Sequence, residues 1–373
     1  MSMVSKNSIT EKYPLKSLYF YLTRECNLKC RHCWINPRYQ TVIDHVRAIS
    51  TETFQACIDN ALPLGLQSVK LTGGEPFLHP QINQLLDIIS EKKLQLIIES
   101  NGCLITPQLA MKIKKCKNPF ISISIDSTDR KTHEWFRGVK GCYDAAVSGL
   151  RYCVKENLPT QIIMSLVKNN RAHIDDMIKF ATDVGCESVK FNIVQPTERG
   201  KAIYENNESL TIKEYIEIGR YITEELQPKN KIRIVYSIPP AFLPLSYMLS
   251  NHGPGCGSGC AIKNILGILW NGNISICGIG ENVKELILGN INMFNPENTL
   301  EDIWKNSQIL DTIRGSLPKE IKGVCKNCIF KMTCFGYCPA NNYYNSRSLF
   351  SPGWFCNKAY MEKLFPEFRL ETG

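Results

Sequence analysis

The chain has 373 residues, of which 43% are hydrophobic and 21% charged, with a formal net charge of +9 and 17 cysteines. That length accommodates one large domain plus a smaller one, and the composition is ordinary for a globular protein. No run of roughly 18 apolar residues appears, and residues 1–16 are polar without an apolar signal core, so neither a membrane partner nor a secretory signal is expected. Disulfide frameworks suit small secreted domains. A large chain with short Cys-x-x-Cys spacings and no signal points instead to metal ligation in a reducing cytoplasm.

From residue 17, strand-like and helix-like stretches alternate. Short runs rich in Ile, Val and Leu predict buried parallel strands over 17–23, 67–72, 94–99, 119–125, 160–167 and 187–193. Helical patterns cover about 51–62, 80–92, 107–116, 142–156, 172–184 and 211–226. Ser50 reads as an N-cap, Pro80 and Pro107 as first-turn residues, and Gly65 and Gly185 as helix ends. Six such units predict an α/β fold, a parallel sheet with right-handed crossovers that forms an open, partial barrel. In such folds function gathers at the C-terminal ends of the strands.

The loop after the first strand is Cys26-Asn27-Leu28-Lys29-Cys30-Arg31-His32-Cys33. Thiolates select zinc, copper(I) or iron–sulfur clusters. A closed zinc site or a conventional 4Fe–4S site takes four ligands, and this loop offers three cysteines. His32 is a fourth only by folding back into the same turn. A zinc knuckle with an outside ligand is one reading, and a cubane with one iron left open is the sharper one. Cys-x3-Cys-x2-Cys after a first strand, with Trp34 just beyond, closely resembles the radical S-adenosylmethionine (SAM) signature. The resemblance implies a (β/α)6 TIM-like partial barrel, SAM bound to the open iron through its amine and carboxylate, and cleavage to a 5′-deoxyadenosyl radical.

Strand two ends in Thr72-Gly73-Gly74-Glu75-Pro76, similar to the family's segment for the SAM amino group. Glycines admit close backbone approach, and the acid accepts from an ammonium. Strand three ends in Glu99-Ser100-Asn101-Gly102, similar to the family's Thr-Asn-Gly, which makes Asn101 a SAM contact. Alternation along strand four turns Ser122, Ser124 and Asp126 to one face, read as a polar lumen for SAM's ribose and carboxylate. His133-Glu134-Trp135-Phe136-Arg137-Gly138 resembles a segment whose arginine, here Arg137, meets SAM's carboxylate; the family usually has Asp where Glu134 stands. Gln195 to Ala202 resembles the loop that shapes the top of the site.

The pattern changes near residue 230, where Pro239, Pro240 and Pro244 mark a bridge. Eight cysteines follow. Ile265–Trp270 and Asn273–Ile276 flank Asn271-Gly272, a hairpin signal. The later run, Cys-x2-Cys-x5-Cys-x3-Cys and then a last cysteine, resembles the SPASM domain of peptide-modifying radical SAM enzymes. By that resemblance Cys256, Cys260, Cys277 and Cys338 hold one auxiliary 4Fe–4S cluster, and Cys325, Cys328, Cys334 and Cys356 hold another. Spacing alone leaves two zinc sites as the alternative. The expected division is a barrel over 15–230, a bridge over 231–255 and a SPASM domain over 256–360. Three clusters lower the net charge to roughly +4. Lys and Arg are also dispersed, so no nucleic acid partner is expected.

Cys57, Cys103, Cys116, Cys142, Cys153 and Cys186 read as packing thiols; Cys103, beside Asn101-Gly102, is the first candidate for a hydrogen-atom donor. The resemblance implies a maturase that oxidises or cross-links a ribosomally made peptide or a protein side chain. It also implies a reductant such as flavodoxin or ferredoxin. With 16 residues before strand one, leader recognition is expected from the barrel and bridge or from a separate leader-binding protein. Peptide epimerisation is an alternative. So is sulfatase maturation, although Gly278 follows Cys277 where those enzymes carry an Asp. An electron-transfer protein with three clusters leaves Gly73-Gly74-Glu75 unexplained, and an RNA-modifying enzyme leaves the SPASM-like half unexplained.

Overall fold

The computed structural model describes residues 7–250, 260–293 and 299–371. Seven parallel strands lie side by side in sequence order: β1 (Ser17–Tyr21), β2 (Ser68–Thr72), β3 (Gln95–Ser100), β4 (Lys117–Ser124), β5 (Thr160–Leu166), β6 (Ser188–Ile193) and β7 (Arg233–Ser237). Three more, β8 (Ile265–Leu269), β9 (Asn273–Ser275) and β10 (Ile287–Asn290), extend the sheet beyond β1. β8 pairs parallel with β1, Ser17 opposite Ile265, and then turns back antiparallel as β9 and β10. The order is therefore β10-β9-β8-β1-β2-β3-β4-β5-β6-β7.

The six expected strands are all present, and β7 adds a seventh inside the region read as a bridge. Its five residues are followed at once by Pro239 and Pro240, which hide a strand that short. The hairpin β8–β9 turns at Asn271-Gly272, where Gly272 has φ of 80°, a left-handed conformation that glycine adopts without a Cβ penalty. Because β8 joins β1, the sheet runs without a break from the barrel into the cysteine-rich part.

Helices cover the outer face of the sheet. Ser50 Oγ accepts from Thr53 N at 3.1 Å and opens the helix Thr51–Ala61. Pro107 opens Pro107–Lys114 behind the Thr106 cap, whereas the helix Ile82–Glu91 starts two residues after Pro80. That helix buries Ile82, Leu85, Leu86 and Ile89, a spacing of three and four that makes one apolar stripe. On β1, Leu18 and Phe20 are fully buried, and Phe20 meets Phe54 with ring centroids 4.3 Å apart. Each such side chain contributes about 1.5–3 kcal/mol. In the C-terminal part the helix Leu300–Asn306 packs against Thr51–Ala61, and its buried Trp304 donates to Tyr13 O at 2.9 Å. No helix among the described residues is long and apolar enough to cross a membrane.

Candidate active site

The cysteine loop leaves the C-terminal end of β1. Thr23 Oγ1 donates to Glu25 O and Glu75 O, each at 3.0 Å, and so ties the loop to the end of β2. Lys29 N and Arg31 N donate to Arg137 O and Phe136 O at 3.0 and 2.9 Å. Arg199 closes the far side, reaching Asn36 Oδ1 and Pro37 O, both at 2.7 Å. Cys26 and Cys30 are buried and Cys33 half-buried, all as free thiols. Burial pushes the Cys26 and Cys30 thiols up, and at Cys30 the Arg137 guanidinium opposes it. The His32 ring stacks on Phe136 with centroids 4.3 Å apart. Burial, aided by Arg137, holds His32 well below its ordinary range, and its Nδ1 has no hydrogen-bond partner among the described residues.

Gly73-Gly74-Glu75 crosses against this loop. A Cβ on Gly74 would stand 1.8 Å from Glu25 O, so only glycine allows the approach. Glu75 is 1% exposed. Its Oε1 accepts from Ser100 Oγ at 2.8 Å and Phe77 N at 3.2 Å, and its Oε2 accepts from Asn101 N at 2.9 Å. A carboxylate has about four acceptor sites, so one remains for a ligand. Burial raises its carboxyl to about 7 against the pull of these donors and Arg137. Asn101 Nδ2 donates to Asn27 Oδ1 at 2.7 Å, which joins the end of β3 to the cysteine loop.

The polar row on β4 divides. Ser124 lines the central cavity. Ser122 lies deeper, bonded to Gln161 Oε1 at 3.3 Å, and does not line it. Asp126 lies past the end of β4, is fully buried, and does not line the cavity either. Its Oδ2 accepts from Arg137 Nε at 2.5 Å and its Oδ1 from Ser165 N at 2.9 Å. Period-two alternation holds only while the strand lasts, and beyond it Asp126 turns toward Arg137. Burial works against the Arg137 charge, but Asp126 and Cys30 outweigh it and hold its pKa above the ordinary value. Arg137 Nη1 also reaches Cys30 Sγ at 3.5 Å. Cys103 does not line the cavity: its thiol lies against Asn101 O and Cys142 O, at 3.8 and 3.5 Å.

The cavity measures about 450 Å³ and is lined by Cys26, Cys30 and Cys33, by Gly73, Gly74, Glu75, Asn101, Ser124 and Arg137, and at its other side by Cys260, Tyr337 and Cys338. Lys190, Gln195 and Arg199 line it too, and of these sequence reasoning gave Lys190 no role. Alternation along 187–193 sets Ser188, Lys190 and Asn192 on one face, a signal for Lys190 that could have been read, and Gln195 and Arg199 fall in the loop expected to shape the top.

The later cysteines gather in two groups. Cys260, Cys277 and Cys338 lie close together: Cys338 raises the pKa of both Cys260 and Cys277, and Cys260 raises that of Cys277. Cys256, read as their partner, falls outside the described residues. Cys325, Cys328, Cys334 and Cys356 line one small pocket, with Cys325 and Cys356 hydrogen-bonded. Among the described residues no three His, Cys, Asp or Glu side chains converge as for a single metal ion. Free thiols gathered in one pocket are the soft donor set that an iron–sulfur cluster takes, one thiolate to each iron, and the residues present fit that group.

Residues 20–181 match the Radical SAM superfamily model, and residues 256–329 match the SPASM iron–sulfur cluster-binding domain. An AdoMet-dependent heme synthase of Methanosarcina barkeri (strain Fusaro / DSM 804) is 26% identical over 340 residues, covering 86% of this chain and 90% of that protein. The antilisterial bacteriocin subtilosin biosynthesis protein AlbA of Bacillus subtilis (strain 168) is 26% identical over 274 residues, 73% of this chain and 56% of that one. Streptococcus suis SuiB, solved bound to the precursor peptide SuiA, superposes with a TM-score of 0.73 at 19% identity, covering 94% of this chain and 79% of that chain. Cysteine loop, barrel and matched domains agree: the chain is an enzyme of the radical SAM superfamily that carries a SPASM domain.

Proposed function

We propose that this enzyme modifies a ribosomally made peptide or a protein side chain, by oxidation or cross-link formation at an unactivated carbon. One observation carries the reading: a single cavity is lined both by the Cys26, Cys30, Cys33 loop and by Cys260 and Cys338. A substrate group held there touches both cluster sites at once. When bound, the first cluster and SAM supply a 5′-deoxyadenosyl radical.

Cys26, Cys30 and Cys33 would hold that cluster. The remaining acceptor site of Glu75 takes an N–H of SAM's amino group, Gly73 and Gly74 let the backbone approach, and Arg137, fixed by Asp126, presents its guanidinium to SAM's carboxylate. Asn101 and Ser124 complete the contacts. Cys256, Cys260, Cys277 and Cys338 would hold one auxiliary cluster and Cys325, Cys328, Cys334 and Cys356 the other. Cys103 lies off the cavity, which favours oxidation over an epimerisation that needs a thiol donor.

The relatives named heme synthases favour a second reading, a haem-type tetrapyrrole substrate. The cavity favours the first. At about 450 Å³ it lies toward the low end of the 300–1,000 Å³ usual for one small ligand, and cluster, SAM and substrate must share it. The test is anaerobic incubation with SAM, reductant and each small peptide encoded beside the gene, read by mass spectrometry in heavy water. Loss of two hydrogens is expected. Deuterium gain means epimerisation, and no change in any peptide overturns the reading.

A further inference from the structure

Three charged side chains project into the barrel from three strands, and none belongs to the SAM contacts. Lys70 on β2 pairs with Glu99 on β3, Nζ to Oε1 at 2.5 Å, and its ammonium also stands 4.9 Å from the centre of the Tyr19 ring. Lys190 on β6 lines the same cavity as Glu99 and feels the charges of both, yet forms no ion pair among the described residues. Two lysines thus share one glutamate, Cys260 adds its thiol on the Lys70 side, and Lys190 is the lysine without an ion-pair partner among the described residues.

Lys190 is set among apolar neighbours. In register it stands opposite Ile163 on β5 and Val235 on β7. Lys190 is half-buried at the cavity wall, and a charge taken partly out of water costs free energy unless it is paired. Burial and Lys70 push the Lys190 ammonium below its ordinary value, against Glu99. An anion placed beside it would relieve that cost, in surroundings where charge pairs act more strongly than in water. The charge also stands where a substrate must pass, because the cavity that Lys190 lines runs from the first cysteine loop to Cys260 and Cys338.

We propose that Lys190, backed by the Lys70–Glu99 pair, is a carboxylate-docking point for the substrate: an Asp or Glu side chain of the peptide enters the barrel and pairs with the Lys190 ammonium. This rests on the peptide reading above and narrows it. The substrate is an acidic-residue peptide whose acid lies at or beside the modified residue.

The test is a double-mutant cycle with cluster-loaded enzyme, SAM and the precursor peptide that the enzyme modifies. Each Asp and Glu of the peptide is changed in turn to Asn or Gln, and KM is measured with wild-type enzyme and with Lys190→Gln. One peptide acid is expected to raise KM on the order of 10- to 100-fold when amidated. The same change should add little in Lys190→Gln, because the partner is already gone. The peptide scan on wild-type enzyme stands alone if Lys190→Gln fails to fold: tolerance of every amide replacement overturns the inference while the peptide reading survives. A full penalty that persists in Lys190→Gln overturns it, as does a Lys190→Gln defect that lies in SAM affinity with peptide KM unchanged. If no peptide is modified, iron-free coproporphyrin III, whose side chains end in carboxylates, becomes the probe. Absorbance-detected binding to wild type but not to Lys190→Gln then removes the peptide reading and keeps the carboxylate site; equal binding to both, or to neither, removes the site.

Discussion

Glu75 is the residue on which the proposed SAM contact turns. Its three donors fix the carboxylate in one orientation while burial keeps it near neutrality. Glu75→Ala removes the charged acceptor for SAM's amino group, a bond worth roughly 1.5–3 kcal/mol. SAM affinity of the cluster-loaded enzyme should fall on the order of 10- to 100-fold by calorimetry, and unchanged affinity would reduce the segment to a turn. The pH dependence follows in sign. An acid whose pKa is raised to about 7 is charged only above that value, so SAM affinity should show a rising step between about pH 6 and about pH 8 in the wild type that Glu75→Gln lacks. Asp126 and Arg137 are a second case. Asp126 is fully buried and Arg137 is 6% exposed. Removing one partner of a buried pair strands the other charge, at about 3–5 kcal/mol. Urea unfolding of Asp126→Ala should show a loss of that size; a loss under about 1 kcal/mol would mean that Arg137 finds another partner or solvent.

At the scale of elements, the cysteine loop, the proposed ligand set of the first cluster, is braced from outside. Helix Arg130–Arg137 supplies the carbonyls that hold Lys29 and Arg31, and Arg199 holds Asn36 and Pro37. Loss of its thiols should therefore empty one cluster and leave the others. Anaerobic reconstitution should give about 12 irons per chain, and Cys26→Ala with Cys30→Ala and Cys33→Ala about 8. A zinc-only protein, or unchanged iron in the triple variant, would end the assignment.

On the scale of the whole molecule, the first cysteine loop and the Cys325, Cys328, Cys334, Cys356 group lie in different parts of the fold. Only the former lines the SAM-side cavity. Cys325→Ala with Cys328→Ala should still yield 5′-deoxyadenosine with dithionite as reductant, but little or no modified peptide. Circular dichroism must first show the variant folded, since cluster binding also stabilises its domain. Full product formation would leave that group a structural role only. β8 pairing with β1 makes the two halves one sheet, so the barrel wall that carries Tyr19 also carries β8, whose hairpin partner β9 leads into Cys277.

The alternation of six strands and helices was legible because each depends on runs of a few residues and on local caps such as Ser50 and Thr106. The cysteine loop and Gly73-Gly74-Glu75 were legible for the same reason: spacing within one loop is a local property. The hairpin at Asn271-Gly272 was too. Other features needed the folded chain. β7 was too short, and too close to Pro239, for its pattern to stand out. Alternation placed Asp126 in the lumen, but the strand ends two residues earlier and the carboxylate pairs with Arg137. Cys103, adjacent in sequence to the SAM segment, turns to Cys142 instead. Lys70, Glu99 and Lys190 lie on three strands, and only the barrel's register sets two cations against one acid. Sequence determines what each strand and loop can offer. Which of those groups meet is decided by side-chain direction at strand ends and by long-range register, which no local pattern encodes.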